Sequence, residues 1–115
     1  MDEKKSVSQI LLDYSAGDAT IEETNETLKE AGSDIQLDPN THRLTEEEIA
    51  ATTVSDNPRE VNGWGLLDTG TGYKNKVEVR DGKLVNAECG NMFALLLIGG
   101  RMYEVKDTEV VKYNG

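Results

Sequence analysis

The sequence predicts an α+β domain in which an N-terminal αα-hairpin packs on a C-terminal antiparallel β-meander of four or five strands. Before position 63, apolar residues recur at the three- and four-residue spacing of amphipathic helices, whereas after it they alternate with polar residues as in strands. The later segments are short and joined by tight turns, which favours antiparallel pairing. We expect one domain of 115 residues, with a helical hairpin at 1–33, a connector at 34–62 and the sheet at 63–115.

The helices are predicted from an apolar stripe and from their caps. A stripe at i, i+3, i+4 and i+7 consists of Val7, Ile10, Leu11 and Tyr14. Gly17 can then end the first helix in the left-handed conformation. Capping-box sequences at Thr20–Glu23 and Thr45–Glu48 predict a second helix, which ends at Gly32, and a short third helix within the connector. Helices this short need a second layer to pack on.

Asn25 is a polar residue among the inner positions of the second helix. We interpret it as a side chain at the edge of the stripe that bonds to the neighbouring turn. The alternative is a buried polar group that sets the register of packing.

Period-two segments predict the strands of the sheet. They are Trp64–Leu67, Lys76–Arg80, Lys83–Val85, Met92–Ile98 and Arg101–Val105, with Thr108–Tyr113 as a further edge strand. Asp81-Gly82 is typical of a two-residue hairpin turn. Met92–Ile98 is apolar on both faces, so both faces must be covered. The helical hairpin is expected to cover one face, and a curled sheet, the connector or a second protein chain the other.

The acidic charge is concentrated in the first half of the chain. The net charge is −10, and residues 1–60 carry all of it, with 15 acidic and 5 basic side chains. This distribution opposes nucleic-acid binding, which needs a basic face. The acidic half is interpreted as a solvated helix surface, with a patch for a basic partner as the alternative.

Several classes of protein are disfavoured by composition. One cysteine and one histidine cannot supply an intramolecular disulfide or the four ligands of a structural zinc site. No apolar segment follows the charged first residues, and the longest apolar run, Met92–Ile98, is far below the about 20 residues of a membrane span. We expect no metal, no cofactor, no membrane association, and a cytoplasmic protein, or a virion-associated one if it is a phage structural component.

Leu66–Thr71 contains Asp68-Thr69-Gly70 and resembles the active-site motif of aspartic proteases. Those enzymes bring two such carboxylates together to share one proton, so a chain with one motif must dimerise. Leu97–Arg101 resembles the second apolar-apolar-Gly stretch of that family. However, the interval from Asp68 to Gly99 is too short for the family's flap hairpin, and Asp-Thr-Gly is also typical of a turn. We therefore predict no catalytic residue, with Asp68 as the alternative in a dimeric aspartic protease.

The remaining reactive residues are isolated. Asp38-x-Asn40-x-His42 begins like a calcium loop, but Arg43 and Ile49 occupy the positions that need Gly and a bidentate Glu. His42 is a lone histidine in a polar turn with no Ser or Cys nucleophile nearby in sequence, and it is interpreted as a surface residue, with a catalytic base as the alternative. Cys89 is interpreted as inert or mildly reactive because no basic residue adjoins it. Trp64, between two glycines, is interpreted as a core anchor, with an exposed contact residue as the alternative. The candidate interface residues are Trp64, Phe93, Leu96 and Ile98.

One wider resemblance covers residues 10–105. Asn62–Gly72, Lys76–Val79, Asp81–Asn86 and the hairpin Phe93–Tyr103 are similar to a group of small uncharacterised proteins encoded in phage and prophage regions of bacterial genomes. The resemblance implies a helical hairpin followed by a β region but no activity. The function expected is that of a non-enzymatic protein acting through a protein partner or self-association. An acidic inhibitor or nucleic-acid mimic is a further alternative.

Overall fold

A computed structural model of the protein describes residues 6–68, 73–86 and 93–113. Its helices are α1 (Val7–Ser15), α2 (Ile21–Glu30) and α3 (Glu46–Ala50), and a 3₁₀ turn covers Pro58–Glu60. Its strands are β1 (Gly63–Asp68), β2 (Tyr73–Arg80), β3 (Lys83–Leu84), β4 (Phe93–Ile98), β5 (Arg101–Lys106) and β6 (Glu109–Lys112). The prediction of an α+β protein with helices before strands is confirmed.

The helix ends follow the predicted capping chemistry. The side chain of Thr20 accepts from the N–H of Glu23, and that of Thr45 accepts from the N–H of Glu48. Each glutamate in turn accepts from the N–H of its capping threonine. Gly17 follows α1 with a φ of 86°, which is the left-handed conformation expected there.

The sheet is a closed barrel, so the prediction of an open meander of four or five strands is wrong. Six strands in the described chain form a ring in the order β1-β2-β3-β6-β5-β4. The ring closes because β1 pairs with both β2 and β4, with Leu66 opposite Leu97. β6, expected as an edge strand, lies between β3 and β5. Closure provides each strand with neighbours on both sides and removes most of the exposed sheet edge of a meander.

Close backbone approach accompanies this closure at Gly65. A Cβ atom placed on Gly65 would lie 2.4 Å from the carbonyl oxygen of Leu97. Gly65 is also directly opposite Ile98 in the β1–β4 register. The absence of a side chain at Gly65 therefore allows the backbones of β1 and β4 to approach closely here.

Two apolar cores share strands β1 and β4. The barrel core contains Leu67, Leu96 and Ile98, whereas the core beneath the helices contains Leu66 and Leu97. The curled sheet thus covers one face of β4, and the helical hairpin covers the other. The helices are therefore fixed against the outside of the barrel through the apolar outer faces of these strands.

Candidate functional site

A cleft lies between the beginnings of α2 and α3. Its volume is about 350 Å³, which is within the usual range of ligand pockets. Buried and half-buried apolar side chains line part of it: Tyr14, Ile21, Leu44 and Ile49. Exposed charged side chains line the rest: Asp18, Glu23, Arg43 and Glu46. We call this the acidic cleft.

The charge of the acidic cleft is only partly neutralised. Among the described residues that line it, Arg43 is the one cation, and its guanidinium forms an ion pair with the exposed carboxylate of Glu22. The hydrogen bonds from Arg43 lower the pKa of Glu22, and those to Glu22 raise the pKa of Arg43. Asp18, Glu23 and Glu46 thus line the cleft beside a cation that Glu22 already engages.

Tyr14 of α1 holds in place the part of the cleft wall that residues 42–44 form. Its hydroxyl donates to the backbone oxygen of His42 at 2.9 Å and accepts from the N–H of Leu44 at 2.8 Å. Burial raises the pKa of Tyr14, although the hydrogen bond from Leu44 opposes this effect. The phenol therefore stays neutral and can make both bonds, which hold residues 42–44 against α1.

Lys76 fixes α3 against the barrel. Its ammonium lies 2.7 and 2.6 Å from the two carboxylate oxygens of Glu48 and 5.3 Å from the ring centroid of Trp64. Burial raises the pKa of Glu48, but the hydrogen bonds from Lys76 and Thr45 outweigh it, so the pKa is lowered overall. This arrangement fixes the position of α3, and with it one side of the acidic cleft.

The acidic cleft belongs to a strongly acidic layer. Residues 6–62 carry 13 acidic and 3 basic side chains, whereas residues 63–115 carry 7 of each. The structure places the first group in the helices and connector, and the described members of the second group in the barrel and its turns. The negative field of the molecule therefore originates in the helical layer.

The predicted contact residues do not form one surface. Trp64 is half-buried and packs against the helical core, as expected of a core anchor. Leu96 and Ile98 are 0% exposed in the barrel core. The ring covers them within the chain, so they present no surface to a partner. The side chain of Phe93 lies outside the described residues.

Asp68, the alternative catalytic residue, is the last residue of β1. It lies opposite Leu95 of β4 and is half-buried. Residues 69–71 of the motif lie outside the described residues, as does Cys89. Within the part of the chain that the structure covers, no group of three His, Cys, Asp or Glu side chains could hold a metal ion.

The prediction that His42 is a surface residue is wrong, because it is only 5% exposed. Its Nδ1 accepts from the N–H of Asp38 at 2.8 Å, and its own N–H donates to the oxygen of Asp38. These bonds close a turn that begins with an Asx turn, in which the carboxylate of Asp38 accepts from the N–H of Asn40. His42 therefore has a structural role in positioning residues 42–44 beside Tyr14.

Sequence reasoning missed the cleft because its two sides are distant in the chain. The cap sequences predicted where α2 and α3 begin, but no local pattern indicates that these ends face each other. Tyr14 gave the nearest signal, since a buried tyrosine hydroxyl usually needs a hydrogen-bond partner.

No family model, no curated protein and no solved structure matches this chain. Among the described residues, no helix is long and apolar enough to cross a bilayer.

Proposed function

We propose that this protein is a non-enzymatic interaction module that binds a basic protein partner through the acidic cleft. The observation that carries the proposal is the combination of an apolar floor with an acidic rim in a concave site of about 350 Å³. A lysine or arginine side chain has the complementary form, with an apolar stem and a charged end.

The charge of the surrounding layer supports the same kind of partner. The excess of acidic side chains in residues 6–62 gives a negative field around the cleft. Such a field steers a basic partner towards the site and repels nucleic acids. We also propose, from the sequence resemblance, that the protein is of phage or prophage origin and that its partner is a phage or host protein.

The proposal can be tested with two variants that change the net charge equally. The cleft variant combines Asp18→Asn with Glu46→Gln, both at exposed residues that line the cleft. The control combines Glu26→Gln with Asp34→Asn, which are exposed but do not line it. Isothermal titration with a short amidated peptide of alternating lysine and glycine then compares both variants with the wild type.

We expect the cleft variant to bind the basic peptide roughly fivefold more weakly than the wild type, since exposed charge pairs contribute up to about 1 kcal/mol each. The control should retain near wild-type affinity. Equal weakening in both variants would show that binding follows net charge alone, and an absence of binding by the wild type would contradict the proposal directly.

A further inference from the structure

A second concave surface lies at one end of the barrel and shares no lining residue with the acidic cleft. Its volume is about 220 Å³. Its walls are the 3₁₀ turn with Asn57, the turn between β2 and β3, and strand β6. We call it the β6 groove. It exists because β3 contains only two residues, Lys83 and Leu84, and pairs with β6 over a very short stretch.

The backbone of β6 faces this groove beyond the end of β3. The N–H of Val110 donates to the oxygen of Gly82 at 2.8 Å, so this residue directs its backbone groups away from β5. In an antiparallel ladder the direction alternates, and Lys112 directs its N–H and C=O to the same side. No described strand pairs with that side of Lys112. β3 begins only at Lys83, and the residues before it form the turn from β2. A short length of strand edge is therefore available for pairing.

The groove also gathers cations that form no salt bridge with any residue the structure describes. Lys76, Arg80 and Arg101 of the barrel form ion pairs with acidic residues of the chain. Arg59, Lys83 and Lys112 line the groove, are exposed, and form no ion pair with the described residues. Lys112 does lie near enough to Asp56 to lower the pKa of that carboxyl, after the larger effect of Arg101.

The rim includes two acidic residues, Asp81 and Glu109, against these three cations. The groove is thus locally positive in a protein whose net charge is −10. Pro58 and Val111, both half-buried, supply apolar surface within it.

We infer that the β6 groove binds an extended acidic segment of a partner protein by strand addition. The segment's backbone would pair with the edge at Lys112, and its carboxylates would meet Arg59, Lys83 and Lys112. Its apolar side chains would contact Val111 and Pro58. Main-chain pairing supplies affinity in this mode, and side-chain contacts supply specificity. The inference does not depend on the proposed function, because the two sites share no residue.

The test uses a short capped peptide of alternating valine and glutamate, with three matched comparisons. A valine–lysine peptide tests charge, and an N-methylated valine–glutamate peptide tests backbone pairing without altering the protein. On the protein side, Lys83→Gln and Lys112→Gln are compared with Lys29→Gln, which removes an exposed cation of α2 outside the groove. Amide chemical shifts and titration of the full-length chain report binding.

We expect the acidic peptide to shift the amides of Val110 and Lys112, with roughly fivefold weaker binding for each groove variant and no change for Lys29→Gln. N-methylation and replacement of glutamate by lysine should each abolish binding. Undiminished binding of the N-methylated peptide would overturn strand addition, and a loss of affinity in Lys29→Gln equal to that in the groove variants would overturn the location. No shift at Val110 or Lys112 with any peptide would overturn the inference altogether.

Discussion

The side-chain amide of Asn25 pairs with both backbone groups of Leu37. Its Nδ2 donates to the oxygen of Leu37 at 2.9 Å, and its Oδ1 accepts from the N–H at 2.7 Å. The amide thus pairs with Leu37 as the backbone of a neighbouring strand would, and these two hydrogen bonds hold the connector against α2. The expectation that this side chain bonds to the neighbouring turn is wrong, because its partner Leu37 lies in the connector, 12 positions away.

Asn25→Ala should lower the free energy of unfolding by about 2–3 kcal/mol, because both backbone groups of the buried Leu37 lose their partner. Urea unfolding measures the change as a lower midpoint at constant slope. The control is Glu26→Ala, an exposed position of the same helix, which should change stability by less than about 0.5 kcal/mol. Equal midpoints for both variants would show that the Asn25–Leu37 pair is not stabilising.

Tyr14→Phe should destabilise the protein by about 1–3 kcal/mol, because the backbone groups of His42 and Leu44 lose the hydroxyl that bonds both. Tyr113→Phe removes a hydroxyl from a residue that is 42% exposed and serves as the control. Thermal unfolding followed by circular dichroism compares the two. A larger loss of stability in Tyr113→Phe than in Tyr14→Phe would contradict the conclusion that the Tyr14 hydroxyl holds residues 42–44 in place.

Glu48→Gln should destabilise the protein by about 1 kcal/mol at neutral pH and much less in acid. The pKa of Glu48 is lower in the folded state than its ordinary value of 4.5. The ionised carboxylate therefore stabilises the fold fully at pH values above 4.5. This contribution disappears as the pH falls through the lower, folded value. Urea midpoints measured from pH 7 to pH 3 should therefore converge for wild type and variant.

The control for this pH series is Glu47→Gln in the same helix. Glu47 is exposed and forms no ion pair with the described residues, so the variant should remain close to wild type throughout. A wild type–Glu48→Gln difference that stays constant, or grows, towards pH 3 would show that the Lys76–Glu48 pair does not contribute as described.

Gly65→Ala should destabilise the barrel by about 1–3 kcal/mol, because the new methyl group would lie 2.4 Å from the oxygen of Leu97. Gly32→Ala provides the contrast, since no atom lies within 4 Å of its added Cβ and only its φ of +79° opposes substitution. That conformational penalty is about 1 kcal/mol. Denaturant midpoints that fall more for Gly32→Ala than for Gly65→Ala would contradict the role of Gly65 in strand approach.

We expect neither the wild type nor Asp68→Asn to cleave peptide bonds, because the proposed function is non-enzymatic. The assay compares the purified wild type and variant on a denatured protein substrate at acidic pH. Cleavage by the wild type that Asp68→Asn abolishes would favour the dimeric aspartic protease instead.

The elements that sequence could predict are those determined by neighbouring residues. The caps at Thr20 and Thr45, and the Asp81-Gly82 turn with positive φ at both residues, depend on contacts within a few positions. Barrel closure depends on β1 meeting β4 across about thirty positions, and neither strand carries a pattern that identifies its second partner. The apolar faces of β4 did show that two covers were needed, but not which segments supply them.

The same limit applies to the candidate site. His42 looked exposed because it follows a polar turn, yet its ring accepts a hydrogen bond inside that turn and its backbone meets Tyr14. The sequence shows that the helices are acidic. It does not show which of the carboxylates line the acidic cleft, because that depends on the relative positions of α2 and α3.

The position of β6 between β3 and β5 affects the order in which the protein can assemble. A ribosome has produced five of the six described strands before the segment that joins the two halves of the ring emerges. Until then β3 and β5 lack the strand that lies between them. The barrel therefore cannot close before β6, which ends at Lys112, has been synthesised.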